Sequence, residues 1–444
     1  MTRAEGGPEG AGPREPDVDP HVVPRVYLTK DIPPLGGVIK QRPEDFLVEE
    51  IPSYQPSGEG EHIYMFVQKK GMSTMELVAL LSHHFGVHRS AIGYAGLKDK
   101  HAITRQVVSI HVPGKKTEDF PMLQHERVQV LWVDRHLNKL RPGHLQGNRF
   151  SVRIRGVPAT GVLTAKRVID RLAKVGVPNR VGEQRFGMLE NNHLIGRHMV
   201  VGDFAEAVRE LLGPNSLHPE MNPEARRLFT EGKLREALAH YPPGARTELI
   251  VLNSLAKGNR PKYALMALEE SVLRYYLSAF QSAIFNAVLD ARVAEDSLGQ
   301  LRLGDVAVKH INGAAFSVTS ETLVQPDTTP RLEKFEISPS GPMWGAAMLR
   351  TSGTQGELEL AALAAMNVTE EQLAQFDLRS RGTLEGKRRP LRVPLIDPEV
   401  EGGVDEHGSY VRCAFELPRG SFATVVMREI IKPAATGLPG SDEE

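Results

Sequence analysis

One short stretch of the chain brings together a carboxylate, two cations and two glycines: Gly93-Tyr-Ala-Gly-Leu-Lys-Asp99-Lys-His-Ala-Ile-Thr-Arg-Gln106. Lys98 and Lys100 flank Asp99, and neighbouring positive charge favours the ionised form of a carboxyl group. An ionised carboxylate can act as a nucleophile or hold a cation, but it is a poor general acid. Lys-Asp-Lys alone is more typical of a solvated turn, so the tripeptide does not decide between a functional carboxylate and a solvated turn.

The elements around this stretch indicate how Asp99 is positioned. Gly93 and Gly96 permit backbone angles and close approaches that other residues resist. The β-branched residues of 107–112 predict a strand directly after the turn. Asp99 is therefore expected in a tight loop at the start of a strand.

The whole stretch resembles the signature of the TruD family of tRNA pseudouridine synthases, and three further motifs follow the same family. The resemblance implies that Asp99 is the catalytic nucleophile. Lys40-x-Arg-Pro-Glu-Asp-Phe46 matches the family's first motif, so Lys40 would pair with Asp99 and Phe46 would lie near the target nucleotide. By themselves, Lys40 is more typical of a surface lysine and Phe46 of a core aromatic residue.

The other candidate substrate-binding residues are Lys98, in the Asp99 stretch itself, and three residues of the remaining motifs. Gly147-Asn148-Arg149-Phe150 implies that Phe150 stacks on the target base and that Asn148 helps to order the site. Stacking on an aromatic ring suits base capture, since every base has a π-face. Gly182-Glu-Gln-Arg-Phe-Gly187 also matches, and Arg185 there could hold a phosphate or an acidic neighbour.

The resemblance implies isomerisation of uridine to pseudouridine within tRNA, with position 13 as the usual target. The N1–C1′ bond breaks, the base turns, and C5 joins C1′, so no cofactor is expected. Asp99 would attack the ribose or assist its deprotonation, and both routes stay open. No metal is expected either, because His83, His84 and His88 lack the spacing of a zinc site.

The composition of the chain limits its class and its compartment. The chain has 444 residues, 41% of them hydrophobic, and a single cysteine, Cys413. One cysteine excludes an internal disulfide and fits a reducing cytoplasm, where we expect this protein. No apolar run approaches the roughly 20 residues of a membrane span. We expect tRNA as the partner, no membrane, no obligate protein partner and a monomer.

The net charge of -1 gives no global sign of nucleic-acid binding, but local charge is uneven. Residues 135–155 hold six basic and no acidic residues, and residues 377–392 hold six basic against two acidic residues. Such clusters can neutralise phosphates. They equally fit a solvated basic face, which is the usual meaning of a charge run.

The predicted fold class is α/β (α+β): a pseudouridine-synthase core with a mixed, largely antiparallel sheet, an inserted α/β domain, and a cleft between them. The core is expected over 23–175 and 394–432 and the insertion over 176–393, with disordered tails at 1–22 and 433–444. The insertion and the cleft are implied by the resemblance alone.

Local patterns predict several elements. They include a strand over 62–68, a helix capped by Ser73 and ended by Gly86, and another helix over 164–175. One long amphipathic pattern over 264–293 indicates a helix. Short strands are expected at 38–40 and 46–48, and strand character is expected from Tyr410 to 427.

Two other classes of function remain as alternatives. A non-catalytic RNA-binding or chaperone protein would use the basic clusters equally well, although it has no need of an ionised carboxylate facing RNA. A metal-dependent hydrolase using Asp99 and the histidines would lose its activity with a chelator.

Overall fold

The computed structural model describes residues 26–376 and 384–432. Its strands are β1 (Phe46–Pro52), β2 (His62–Lys70), β3 (Ile92–Tyr94), β4 (Ile103–His111), β5 (Val128–His136), β6 (Leu145–Arg155), β7 (Val177–Pro178), β8 (Val306–Lys309), β9 (Ala315–Ser317), β10 (Ile337–Met343), β11 (Lys387–Pro390), β12 (Arg392–Val393), β13 (Ile396–Asp405) and β14 (Gly408–Pro418). Both predicted tails, at 1–22 and 433–444, lie outside the described residues.

The helices alternate with these strands unevenly, and most fall in the middle of the chain. They are α1 (Thr74–Phe85), α2 (Val162–Val175), α3 (Asn192–Val201), α4 (Phe204–Leu212), α5 (Pro223–Thr230), α6 (Leu234–His240), α7 (Arg246–Ala256), α8 (Pro261–Leu265), α9 (Glu270–Ala294), α10 (Ser320–Val324), α11 (Thr328–Glu333), α12 (Gly353–Ala364), α13 (Glu370–Gln375) and α14 (Ala423–Ile431). Across the described residues, no helix is both long and apolar enough to cross a bilayer.

An eight-stranded sheet dominates the molecule, in the order β13-β14-β6-β1-β4-β2-β5, with β3 added against β4. β1 and β4 run parallel, and the other paired strands of this sheet run antiparallel. This arrangement confirms the predicted α/β class with a mixed, largely antiparallel sheet. The β1–β4 pairing also places the Asp99 loop, which leads into β4, next to the turn that leads into β1.

A four-stranded sheet, β11-β10-β8-β9, and most of the helices make up the middle of the chain. The chain leaves the large sheet through β7 and returns through β12, and these two short strands pair with each other antiparallel. One apolar core cluster includes Val168 and Val426 together with Val288 from α9. The predicted core and insertion thus share buried contacts, and the division at 176 and 393 stays a prediction.

Several local predictions are confirmed. Ser73 Oγ accepts the Glu76 N–H while the Glu76 carboxylate accepts the Ser73 N–H, so the predicted capping box of α1 is present. Gly86 ends α1 in the left-handed conformation. The strand over 62–68 and the helix over 164–175 are found as β2 and α2.

Three local predictions differ from the structure in type or in bounds. Residues 425–427 lie in α14, because the buried residues Ala423, Val426, Met427 and Ile430 repeat with helical spacing, and packing overrides the β preference of valine. The pattern over 264–293 is divided between α8 and α9, with acidic residues starting α9, where the helix dipole favours them. Residues 38–40 form a single bridge from Val38 to Arg155.

The first and last described segments of the chain are joined. The Glu429 carboxylate accepts the N–H groups of Leu28 and Thr29 at 3.0 and 3.1 Å and the Thr29 hydroxyl at 2.7 Å. Lys432 also donates to the Ile32 carbonyl. These bonds hold the N-terminal segment against α14, beside the large sheet.

Candidate active site

A cavity of about 560 Å³ opens beside the central strands of the large sheet. Side chains from both the predicted core and the predicted insertion line it. Six of the seven predicted site residues are among them: Lys40, Phe46, Lys98, Asp99, Asn148 and Phe150. Arg185 is the exception, because it does not line the cavity. Its guanidinium lies 4.9 Å from the ring centre of Tyr275.

Asp99 lies on the wall of this cavity with both carboxylate oxygens engaged. Lys40 Nζ lies 2.5 Å from Oδ2, and the backbone N–H of His101 donates to Oδ1 at 2.8 Å. The Asp99 side chain is only 4% exposed and that of Lys40 15%. Both partners donate hydrogen bonds, which suits the acceptor-only, ionised carboxylate.

The loop that carries Lys40 is held on two sides. Val38 exchanges backbone hydrogen bonds with Arg155, and Leu35 donates to the carbonyl of Ile430. Lys40 itself has a φ of 59°, which is uncommon for a residue with a side chain. Such conformations persist where the surrounding structure imposes them and concentrate at functional sites.

A buried ion-pair network holds the turn before β1, from which Phe46 projects. Arg155 donates to Asp45 at 2.6 Å and to Asp405 at 2.7 Å. These carboxylates raise the pKa of the Arg155 guanidinium, chiefly through the hydrogen bonds with Asp405 and Asp45. Residues far apart in the sequence thus fix the position of the Lys40–Phe46 motif.

The cations that flank Asp99 in the sequence are paired elsewhere. Lys98 Nζ lies 2.6 Å from Glu50, and both side chains are buried. Lys100 is half exposed, and its ammonium lies 3.9 Å from Glu76. Lys40 forms an ion pair with Asp99, as the family motif implied, while the ammonium groups of Lys98 and Lys100 face Glu50 and Glu76.

Lys69 lies beneath the Asp99 loop and was not among the predicted site residues. Its side chain is fully buried, and its ammonium donates to the carbonyls of Met72, Lys98 (3.5 Å) and Asp99 (3.3 Å). Burial lowers the pKa of Lys69 to about 8, while the negative charge of Asp99 opposes this shift. The available sequence signal was a lysine directly after the predicted strand over 62–68.

The two glycines of the Asp99 stretch differ in the space that a side chain would find around them. A Cβ on Gly93 would lie 2.2 Å from the Leu140 carbonyl oxygen and 2.5 Å from Ser109 Oγ, so the close approach expected there is confirmed. A Cβ on Gly96 would meet only Lys98 Nζ, at 3.4 Å, and Gly96 is not in the left-handed region. Gly93 therefore permits the packing of β3 against the neighbouring backbone.

An aromatic wall stands next to the Asp99–Lys40 pair. The Phe46 and Phe150 ring centres are 6.4 Å apart, and Phe150 also packs on Phe415 at 5.8 Å. Lys40 Nζ lies 4.7 Å from the ring centre of Phe46. Asn148 Oδ1 is buried and has no hydrogen-bond partner among the described residues. The wall therefore offers an apolar surface beside one covered acceptor that has no partner among the described residues.

Other parts of the cavity lining carry basic residues from the middle and end of the chain. Arg180 pairs with Asp290, and Arg428 pairs with Glu183. Arg419 is exposed and lines the cavity, and its guanidinium donates to the Gly143 carbonyl at 2.9 Å. Among the described residues, no carboxylate pairs with Arg419. Neither basic cluster contains Arg419, so sequence reasoning missed it.

The basic clusters predicted from the sequence are not open basic surfaces. Arg149 and Arg153 pair with Glu399, Glu416 and Asp405 from the β13–β14 hairpin. Burial lowers the pKa of both Arg389 and Arg392 to about 10, and both donate to backbone carbonyls. Most of the described cluster arginines therefore hold the fold together, and Arg379 and Arg381 lie outside the described residues.

Two of the three histidines considered for zinc, His84 and His88, have other contacts. His84 Nε2 lies 3.0 Å from the Pro121 carbonyl oxygen, and His88 Nδ1 lies 2.8 Å from Ser90 Oγ. In the part of the chain that the structure describes, no group of three or more His, Cys, Asp or Glu side chains is arranged to hold a metal ion.

The sequence model of the tRNA pseudouridine synthase D (TruD) family matches residues 23–430 of this chain. The chain belongs to this family. The isomerisation of uridine to pseudouridine is the reaction of the family, which confirms the predicted family and enzyme class, an isomerase. The match spans all the residues that line the cavity.

Individual TruD relatives agree with this assignment. The tRNA pseudouridine synthase D of Geobacter metallireducens is 43% identical over 410 residues, which cover 91% of this chain and 97% of the relative. That of Syntrophotalea carbinolica is 41% identical over 408 residues, covering 91% and 98%. The crystal structure of the putative TruD of Methanosarcina mazei matches with a TM-score of 0.81 at 28% identity, covering 95% of this chain and 99% of that one.

Proposed function

We propose that this chain isomerises uridine to pseudouridine at position 13 of tRNA, with Asp99 as the nucleophile. Asp99 attacks the ribose or assists its deprotonation while the N1–C1′ bond breaks. The freed uracil turns within the cavity, C5 bonds to C1′, the C5 proton leaves, and N1 takes up a proton. Substrate and product have the same atoms, so the reaction needs no co-reactant.

The observation that carries the proposal is the meeting of Lys40, Asp99 and Phe150 at one cavity, from three distant parts of the sequence. Lys40 neutralises and orients the carboxylate. Phe150 supplies a ring against which the base can stack. A non-catalytic RNA-binding protein has no need of a buried, paired carboxylate at this position.

Asn148 gives the site a means to distinguish uracil from cytosine. Its Oδ1 is covered and has no hydrogen-bond partner among the described residues, and we propose that it accepts one hydrogen bond from the base once the Asn148 side chain turns toward the cavity. Uracil carries an N–H at N3, whereas cytosine has an acceptor there. A site whose acceptor meets another acceptor leaves a polar group unpaired, which disfavours binding.

The remaining proposals concern the setting of the reaction. We propose that tRNA is the substrate partner, that a monomer acts on it, and that the protein works in the cytoplasm. Support for the monomer comes from the cavity, whose candidate catalytic residues all belong to one chain. Mass measurement in solution, with and without tRNA, tests that part.

The test of function is the mapping of pseudouridine in tRNA incubated with and without the protein, in the presence of EDTA. We expect pseudouridine at a single site with the chelator present. A non-catalytic RNA-binding protein would give binding without product, and a metal-dependent hydrolase would give EDTA-sensitive cleavage. Either result would overturn the proposal.

Asp99→Asn is the decisive variant, and Asp134→Asn is its matched control. Asp134 lies on β5 and does not line the cavity, and its carboxylate accepts the Arg135 N–H. We expect Asp99→Asn to lower the single-turnover rate by at least about 10³-fold, since it removes the nucleophile. RNA affinity and the unfolding midpoint should change little in either variant. Normal product yield from Asp99→Asn would refute the assignment.

A further inference from the structure

Leu97 leaves a large apolar side chain in solvent at the rim of the cavity. The residue is 61% exposed and lies two positions before Asp99. Among the described residues, the other large apolar side chains that are more than 60% exposed do not line the cavity. Single exposed apolar residues are common on proteins, so its position next to Asp99 is what distinguishes Leu97.

The backbone beneath Leu97 is held firmly. The next residue, Lys98, donates its N–H to Thr74 Oγ1 at 2.9 Å and its side chain to Glu50 at 2.6 Å. Its carbonyl accepts the Lys69 ammonium at 3.5 Å. Lys98 and Asp99 are buried while Leu97 is exposed, so the loop presents Leu97 outward from a supported base.

A target uridine within a helical stem must leave its stack before its ribose can reach a carboxylate on the wall of a cavity. The space that it leaves must be filled, or the stem closes again. Proteins that unstack nucleic acids commonly insert an apolar side chain such as leucine at the opened step. The insertion point must lie next to the pocket that receives the base.

We propose that Leu97 is a wedge that enters the RNA stack in place of the extruded uridine. This inference rests on the proposed function, because it assumes that a uridine is taken into the cavity at Asp99. Leu97 then acts on the opening of structured RNA and contributes little once the target base is already free. This dependence on RNA structure separates a wedge from a residue that merely supports the Asp99 loop.

The test compares two RNAs that present the same target uridine. One is a hairpin with the uridine inside its stem, and the other is an unstructured oligonucleotide. Release of tritium from C5-labelled uridine reports isomerisation, because the C5 proton leaves when C5 bonds to C1′. Leu97→Ala should lower kcat/KM on the hairpin by about 10- to 100-fold and on the oligonucleotide by less than about 3-fold, as expected for a lost unstacking contribution.

Two variants complete the set. Leu97→Phe keeps an apolar wedge and should retain most of the hairpin activity. Leu163→Ala is the matched control, because Leu163 is 72% exposed at the start of α2 and does not line the cavity. Leu163→Ala should match the wild type on both RNAs.

A second measurement isolates base opening from chemistry. In an Asp99→Asn background, a 2-aminopurine placed beside the target uridine should brighten when the hairpin binds, and Leu97→Ala should remove that increase. Equal loss of activity on both RNAs, or no loss on the hairpin, would overturn the wedge. A wild-type protein inactive on tRNA and on both test RNAs would instead refute the proposed function.

Discussion

Lys40 Nζ and Asp99 Oδ2 lie 2.5 Å apart, although 59 positions separate the two residues in the sequence. The ammonium end of this pair keeps some contact with solvent, whereas the carboxylate is almost completely covered. Removing one partner therefore has different consequences at the two ends. Neutral asparagine at position 99 leaves a cation that can reach water, but loss of Lys40 leaves a buried anion.

Lys40→Met tests this asymmetry. We expect the free energy of unfolding to fall by about 3 kcal/mol, because a covered carboxylate loses its ion pair. The rate of pseudouridine formation should fall by about 10²-fold or more, since the cation no longer stabilises charge at the reacting carboxylate. Urea unfolding and single-turnover kinetics measure the two effects.

Lys70→Met is the control for Lys40, because Lys70 forms an exposed ion pair with Glu44. Such surface pairs contribute about 0–1 kcal/mol. Adding Asp99→Asn to Lys40→Met should restore most of the lost stability, while activity stays lost. A Lys40→Met protein as stable as Lys70→Met would contradict the buried-anion argument.

Phe150→Leu tests base stacking without emptying the core. Phe150 is only 7% exposed and belongs to the main core cluster, so Phe150→Ala should cost about 3 kcal/mol through the cavity it leaves. Leucine fills most of that space but lacks a ring face. We expect kcat/KM to fall by about 10-fold or more.

The neighbouring Phe415 supplies the comparison for Phe150. It is fully buried, packs on Phe150 and does not line the cavity. Phe415→Leu should lower stability by a similar amount and leave kcat/KM close to that of the wild type. If the two variants lose activity equally, Phe150 acts through packing alone.

Lys69→Met should impair the positioning of Asp99. The change leaves the buried carbonyls of Lys98 and Asp99 without their donor, so the loop is expected to shift. A displacement of about 1 Å at a catalytic group can cost about 10²-fold in rate. We expect kcat to fall while RNA affinity is kept, and Lys69→Arg to recover part of the loss. Unchanged kcat in a folded Lys69→Met protein would exclude the role.

Lys69 also predicts a pH dependence of stability. Burial lowers its pKa from 10.5 to about 8, so between these values the unfolded chain binds more protons at this site than the folded chain. The Lys69 contribution to the free energy of unfolding therefore rises from pH 8 to 10.5. Unfolding measured across that window should show a more positive slope for the wild type than for Lys69→Met. Parallel slopes would contradict the shifted pKa.

Arg419→Gln tests a phosphate contact at the cavity rim. The side chain is exposed, and among the described residues no carboxylate pairs with it. We expect weaker binding of all RNA sequences. The negative slope of log affinity against log salt should be less steep by about 1. Arg149→Gln is the control, because Glu399 and Glu416 already neutralise Arg149. Equal salt slopes for wild type and Arg419→Gln would rule out the contact.

Short-range patterns were sufficient to predict individual elements. The bonds of the Ser73–Glu76 capping box join residues three positions apart, so the local sequence is enough to predict them. The meeting of Lys40 and Asp99 has no such local signal. It depends on the parallel pairing of β1 with β4, and only the family resemblance brought the two residues together in advance.

Electrostatic partners were the least predictable feature. Lys98 is adjacent to Asp99 in the sequence, yet its ammonium binds Glu50. Arg155 sits in a run without acidic residues, yet it meets Asp405, 250 positions away. A count of charges along the sequence cannot show such pairs, because the sheet order decides which strands become neighbours.

The junction of Glu429 with Leu28 and Thr29 constrains when this protein can become active during synthesis. β14, which pairs with one edge of β6, and α14, which lines the cavity, come long after the Asp99 loop in the chain. A nascent chain that stops before α14 lacks a wall of its own active site. Messages truncated before the codons of α14 should therefore yield polypeptides without activity, however complete their Asp99 loop.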